Sequence, residues 1–200
     1  MSKSKSAYSV PTKKEKSDTY IFVVWVDNEA GVLARVVGLF SGRGYNIESL
    51  AVAEVDAVKN ISRITIVTTG TPQVIDQIKL QLAKLVPVHK VAEFKREDEN
   101  VIFKEMALFK IVGKKKKMEK CLNACKKFDL VILDETKTSK VIQITALRRD
   151  IDKISKKLKP LGLISASRTG AVAMTRGCLL YTSDAADDSL RVDLGGRRII

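Results

Sequence analysis

The stretch Val26–Ala53, VDNEAGVLARVVGLFSGRGYNIESLAVA, decides how the rest of the chain is read. It spells strand, turn, helix, turn, strand. Asp27 and Asn28 are turn and N-cap residues just ahead of an apolar-periodic run. Leu33, Val36, Val37 and Phe40 follow the i, i+3, i+4, i+7 spacing of one buried helical face. Gly42 and Gly44 are expected to end the helix, because glycine takes left-handed backbone that other residues resist. Tyr45–Ala53 then resumes as a strand. Gly31 and Gly38 sit inside the helical pattern, where each costs about 1 kcal/mol relative to alanine. Two readings stand: the glycines permit helix–sheet packing, or another group approaches the backbone closely. At Gly31, in the first turn, a small ligand is a candidate, since free N–H groups and the helix dipole attract a carboxylate.

Outward from this stretch, Tyr20–Val26 (YIFVVWV) is a β-branched and aromatic run, as expected of a covered strand. Asn46–Glu54 and Ile61–Thr68 form a hairpin across Val55–Asn60. In ISRITIVT, Ser62, Ile64 and Ile66 face one way; Arg63, Thr65 and Val67 face the other. Pro72 suits the first turn of a second helix, whose stripe is Val74, Ile75, Ile78, Leu82 and Leu85. Val86–Phe94 closes the unit. The order is βαββαβ, a ferredoxin-like split with both helices on one sheet face. An RNA-binding RRM has the same order, but displays stacking aromatics on its third strand. Ile61–Thr68 has none.

After the charged linker Lys95–Asn100 the order returns. Val101–Val112 reads as a strand, and Lys116–Phe128 as a helix with Met118, Leu122, Cys125 and Phe128 inward. Leu130–Glu135 and Lys140–Leu147 form a hairpin. Asp150–Leu161 is a helix with Ile151, Ile154 and Leu158 inward, and Ile164–Thr175 a last strand. The fold class is α+β, two ferredoxin-like βαββαβ domains. The halves do not align, so this is a repeated topology and not a proven repeat.

The 200 residues suit one large or two small domains. No apolar run approaches the ~20 residues of a membrane helix. Of the three cysteines, Cys121 and Cys125 lie at i, i+4 and could share a helix face. His89 is the only histidine, too few ligands for a metal site. The cysteine usage fits a reducing, cytoplasmic home. The net charge of +13 is mostly lysine spread along the chain. Its sharpest cluster, Lys114–Lys117, opposes the dipole of the helix it precedes and reads as a solvated loop. No nucleophile elbow, P-loop, acid–base pair or metal cluster is found. Residues 1–19 read as a disordered polar extension.

The run DNEAGVLARVVGLFSGRGYNIESLAVA closely resembles the opening of the small, regulatory subunits of acetohydroxyacid (acetolactate) synthase, and GLFSGRGYNIESL is close to a signature of that family. Residues 20–95 resemble an ACT domain, a sensor module of amino-acid metabolism. The likeness continues more weakly through SRTGAVAMTRG, making 96–177 the expected second domain. The family normally ends shortly after the position of Gly177. Residues 178–200 lack lysine, look like translated adapter sequence, and are expected to be non-native or disordered.

The resemblance implies a non-catalytic, bacterial cytoplasmic subunit that dimerises through its ACT domains and binds valine as feedback effector. Its partner would be the catalytic large subunit making acetolactate from pyruvate, which would carry thiamine diphosphate, Mg and FAD. No nucleic-acid or membrane partner is implied, and no cofactor on this chain. Asn28, Gly31 and Asn46 match the family's effector residues in type and spacing. In this reading the N–H groups of Gly31, Val32 and Leu33 receive the effector carboxylate. The Asn28 and Asn46 amides bind its polar groups, and Leu33 and Ile47 wall its side chain, with the Asn46–Ile47 strand start supplied by a neighbouring subunit. The alternative is a free-standing ACT-type sensor, or a basic binding module, acting on another partner.

Overall fold

In the computed structural model, which describes residues 17–96 and 98–177, DTYIFVVWVD forms β1 (Asp18–Asp27). Helix α1 (Val32–Ser41), β2 (Ser49–Asp56), β3 (Ile61–Gly70), α2 (Pro72–Leu82) and β4 (Val88–Lys95) complete the first module. Its antiparallel strands lie in the order β2-β3-β1-β4. The second module runs β5 (Val101–Val112), α3 (Lys115–Cys125), β6 (Asp129–Glu135), β7 (Ser139–Ala146), α4 (Arg148–Leu158), a 3-10 turn at Lys159–Leu161, and β8 (Leu163–Thr175). Its order, β6-β7-β5-β8, is the same path through space. Each module is the expected ferredoxin-like βαββαβ unit. Asp18 and Thr19, read from sequence as part of the extension, are paired in β1. The expectations for residues 1–16 and 178–200 lie outside the described residues.

Period-two alternation sends Phe22, Val24, Val26, Ile64 and Ile66 to the helix side of the first sheet, against Val36, Phe40, Ile75 and Ile78. Thr71 caps α2, its hydroxyl accepting from the Val74 N–H, and Pro72 follows where no N–H is needed. The phase of α1 differs from expectation. Val32, Val36, Leu39 and Phe40 are buried, while Leu33 is 41% exposed. In VLARVVGLF nearly every position is apolar or small, so periodicity alone fits more than one phase.

In the second module Ala107, Phe109, Ile111, Ile142 and Ile144 meet Met118, Ile151, Ile154 and Leu158. Cys121 joins Cys125 inside this core, both fully buried. Burial pushes the Cys121 thiol up, and Cys125 up to about 11 through burial and the neighbouring Cys121. The buried Glu105 of β5 is held by Arg168 of β8, which also reaches Asp152 of α4 at 2.7 Å. That hydrogen bonding raises the Arg168 guanidinium above its ordinary value.

The other face of the first sheet is not left to water. Ile21, Val23, Val67 and Ala92 pack against Val101, Ala171 and Ala173, with Trp25, Phe94 and Phe103 at the margin. The β5/β8 ribbon of the second module thus covers the first module's sheet. Arg63 lies 5.4 Å from the Trp25 ring centroid and donates to the Ala173 carbonyl. This packing explains why β1, a strand with both faces apolar, occurs in an antiparallel sheet, and why Val67 is buried on the far face of β3.

Candidate functional site

The loop from β1 to α1 begins with a tie between segments far apart in sequence. The Asn28 N–H donates to the Asn60 carbonyl at 2.7 Å, and the Ser62 hydroxyl donates to Asn28 Oδ1 at 3.0 Å. Asn28 therefore belongs to the β2–β3 turn and does not cap α1. The cap position is Gly31, at φ 86, with no capping side chain. This left-handed conformation, not helix interior, is what glycine supplies there. A Cβ built on Gly31 or on Gly38 would meet no described atom within 4 Å, so no close packing within the described chain requires either glycine. Asp27, also read as a turn residue, ends β1 and pairs with His89 Nε2 at 2.6 Å.

The first N–H groups of an α-helix have no intrahelical partner and sit in the positive end of the dipole. At α1 they are neighboured by exposed Asn28, Gly31 and Leu33. The three donors proposed from sequence are not equivalent. The Val32 N–H turns back to the Glu29 carbonyl at 3.4 Å, and the Val32 side chain is core. Leu33 instead faces outward beside the helix start, where an apolar ligand group can meet it.

Asn46 and Ile47 lie elsewhere. Gly44, at φ 70, turns the chain out of α1, whereas Gly42 is right-handed, so only one of the two expected glycine stops uses left-handed backbone. Residues 45–47 are irregular and β2 starts at Ser49, later than expected. The Asn46 carbonyl accepts from the Thr68 hydroxyl at 2.6 Å, leaving its side chain exposed, and Ile47 packs on the core margin. Asn28 is thus tied to Ser62 and Asn46 to Thr68, and along β3 those positions stand about 20 Å apart at ~3.3 Å per residue. One free amino acid, about 3.6 Å of extended backbone, does not bridge that distance. On a single chain the residues expected at the site therefore fall into two groups, candidate half-sites, with Asn28, Gly31, Val32 and Leu33 at one end of α1 and Asn46 and Ile47 at the other.

Sequence reasoning did not single out Glu48 and Ser49, which follow the second half-site and touch the second module. Arg148 Nη2 donates to the Glu48 carbonyl at 3.4 Å and lies 3.6 Å from its carboxylate. The Ala171 N–H donates to Ser49 Oγ at 3.2 Å. Among the described residues no group of three or more His, Cys, Asp or Glu gathers as a metal site, and no helix is long and apolar enough to cross a membrane.

Comparison with known proteins agrees with this architecture. The model of the AHAS small subunit-like ACT domain matches residues 22–90, and that of the small subunit of acetolactate synthase matches 104–177. The fold and its open helix start define an ACT-domain protein with a second ferredoxin-like module. The chain is 35% identical over 159 residues to the acetolactate synthase small subunit of Mycobacterium bovis, covering 80% of this chain and 93% of that one. It is 39% identical over 155 residues to the small subunit of Buchnera aphidicola, covering 77% and 96%. The crystal structure of the Thermotoga maritima small subunit superposes with a TM-score of 0.73 at 32% identity, covering 80% and 99%. The chain belongs to the acetolactate synthase small-subunit family.

Proposed function

We propose that this chain is a non-catalytic regulatory subunit that binds valine and makes a catalytic large subunit of acetolactate synthase sensitive to it. The observation that carries the reading is the separation of the half-sites. Two copies related by a two-fold axis, with their α1 helices antiparallel, bring the Gly31 end of one to the Asn46 end of the other. Two composite sites result, each needing both copies. Strand β2 is at the sheet edge, with Val52 and Val55 exposed, and an edge of that kind invites pairing. The exposed Gly38 leaves room for a partner helix to approach.

In each composite site the helix start receives the valine carboxylate, Leu33 and Ile47 flank its isopropyl group, and the Asn28 and Asn46 amides take the remaining polar contacts. Valine contacts two chains, so it binds one spacing of the dimer better than another. A coupling of about 1–3 kcal/mol corresponds to roughly 5- to 150-fold effects on the partner's activity state. The reaction, with its thiamine diphosphate, Mg and FAD, belongs to the large subunit, in the cytoplasm.

The test is reconstitution with the cognate large subunit and an assay of acetolactate formation from pyruvate. The small subunit should raise the rate and valine should lower it again. Gly31→Asp puts a carboxylate where the effector's sits, at about 1–2 kcal/mol of backbone strain. Asn46→His removes an amide without that strain. Both variants should activate without valine inhibition. A small subunit that leaves the rate untouched, or variants that respond to valine as the parent does, would falsify this function.

A further inference from the structure

Where the β5/β8 ribbon crosses the first sheet, a cleft of about 760 Å³ opens between the modules. That size is within the range of small-molecule sites, roughly 300–1,000 Å³. Its walls are apolar in part, with Ile21 and Val67 from the first sheet and Phe103, Leu147 and Ala171 from the second module. Its charged lining is one-sided. Among the described residues, Arg96, Lys104, Arg148, Arg149 and Arg176 line it with two carboxylates, Asp98 and Glu99. The Asp98 carboxylate accepts from the Asn100 N–H at 2.9 Å, and the Glu99 carbonyl from Arg176 Nε at 3.0 Å. Arg148 Nη1 is enclosed with no hydrogen-bond partner among the described residues. An enclosed guanidinium N–H without an acceptor is costly, and Arg148 relieves that cost by turning toward an acceptor in the cleft.

We propose that this cleft is a second ligand site, taking a small organic anion of two or more charges, a phosphate ester or polycarboxylate. Four guanidinium groups and one ammonium match paired oxyanions, and the arginine fork is built for bidentate contact with them. The apolar wall accommodates the carbon skeleton. This site is distinct from the α1 half-sites. Its occupant draws on Arg148, the residue that touches Glu48 next to Asn46 and Ile47, so the ligand bears on the segment of the second half-site.

The experiment is titration calorimetry of the full chain with pyrophosphate and, separately, citrate. Saturable binding of either supports the site, and the tighter one identifies the head group. Lys104→Gln/Arg149→Gln removes two exposed cations and should weaken that binding by roughly tenfold or more, with an unchanged melting temperature. Lys115→Gln/Lys116→Gln, on the exposed start of α3, removes the same charge elsewhere and should leave it unchanged. The proposal is overturned if neither anion binds, if the cleft variant binds as the parent does, or if both double variants lose affinity equally. The last result would mean diffuse attraction to a basic chain.

Discussion

The two modules follow one path through space and differ at the same topological point, the start of the helix after the first strand. In the first module that point is Gly31, left-handed and open, with no acidic residue in the first turn of the helix. In the second it is Lys114, in extended backbone, leading into Lys115, Lys116 and Lys117. Gly113 there is not left-handed, and its face is covered by Lys117. Both helices offer N–H groups and a positive dipole end. Only the first presents them with room and with an apolar neighbour, Leu33. The fold supplies the dipole, and loop chemistry decides whether anything small can use it.

The largest test of this comparison is the independence of the two cores. Phe40→Ala and Phe109→Ala each empty a fully buried aromatic site and should cost about 3–5 kcal/mol. Urea unfolding followed by Trp25 fluorescence should shift strongly for Phe40→Ala and less for Phe109→Ala. Equal shifts would join the modules into one cooperative unit.

Glycine substitution gives the next effect. Gly170 is at φ 82, and a Cβ there would lie 2.6 Å from Ser49 Oγ. Gly170→Ala should cost about 1–3 kcal/mol in thermal unfolding, partly relieved by Ser49→Ala. Gly113→Ala, meeting Lys117 Cβ only at 3.5 Å, should be nearly neutral.

Valine affinity sharpens the contrast between helix starts. Leu33→Ser should weaken binding by about tenfold, the order of one lost apolar contact, while Lys116→Ala should leave it unchanged in calorimetry. Equal losses would remove the distinction.

The smallest effect is alkaline. Cys125 is raised from 9.0 to about 11 in the folded chain, so the folded state holds its proton more tightly. The resulting stability is complete below pH 9 and is lost as pH rises toward 11. At pH 9 the loss is well under ~1 kcal/mol. Comparison of melting at pH 7.5 and 9 should show this slope in the parent and not in a Cys121→Ala/Cys125→Ala variant.

Much of this was legible in sequence. The elements of both modules follow from strand alternation and helix periodicity, and Ser62, Ile64 and Ile66 share a face as read. The candidate half-site residues were picked by likeness. Their division was legible too, since the reading put Asn46 and Ile47 on a neighbouring subunit, and α1 does lie between Asn28 and Asn46; the distance between them along β3 was not, because it depends on strand register. The phase of α1 was ambiguous because valine and leucine fill both candidate faces. Cys121 was read only as able to share a face with Cys125, since cysteine carries a weak apolar signal, although it packs as a small hydrophobe. The contacts of Glu48 and Ser49 with Arg148 and Ala171 depend on how two modules dock, which no local pattern encodes.

The cover over the first sheet has a consequence for the order of synthesis. Ile21, Val23 and Val67 emerge from the ribosome early, whereas Ala171 and Ala173, which shield them, emerge more than a hundred residues later. At about 5–20 residues per second the interval is several seconds or longer. During it the nascent first module has a finished helix side and a bare, adhesive underside. Nascent chains of this protein therefore face a window of self-association that closes only when β8 is delivered.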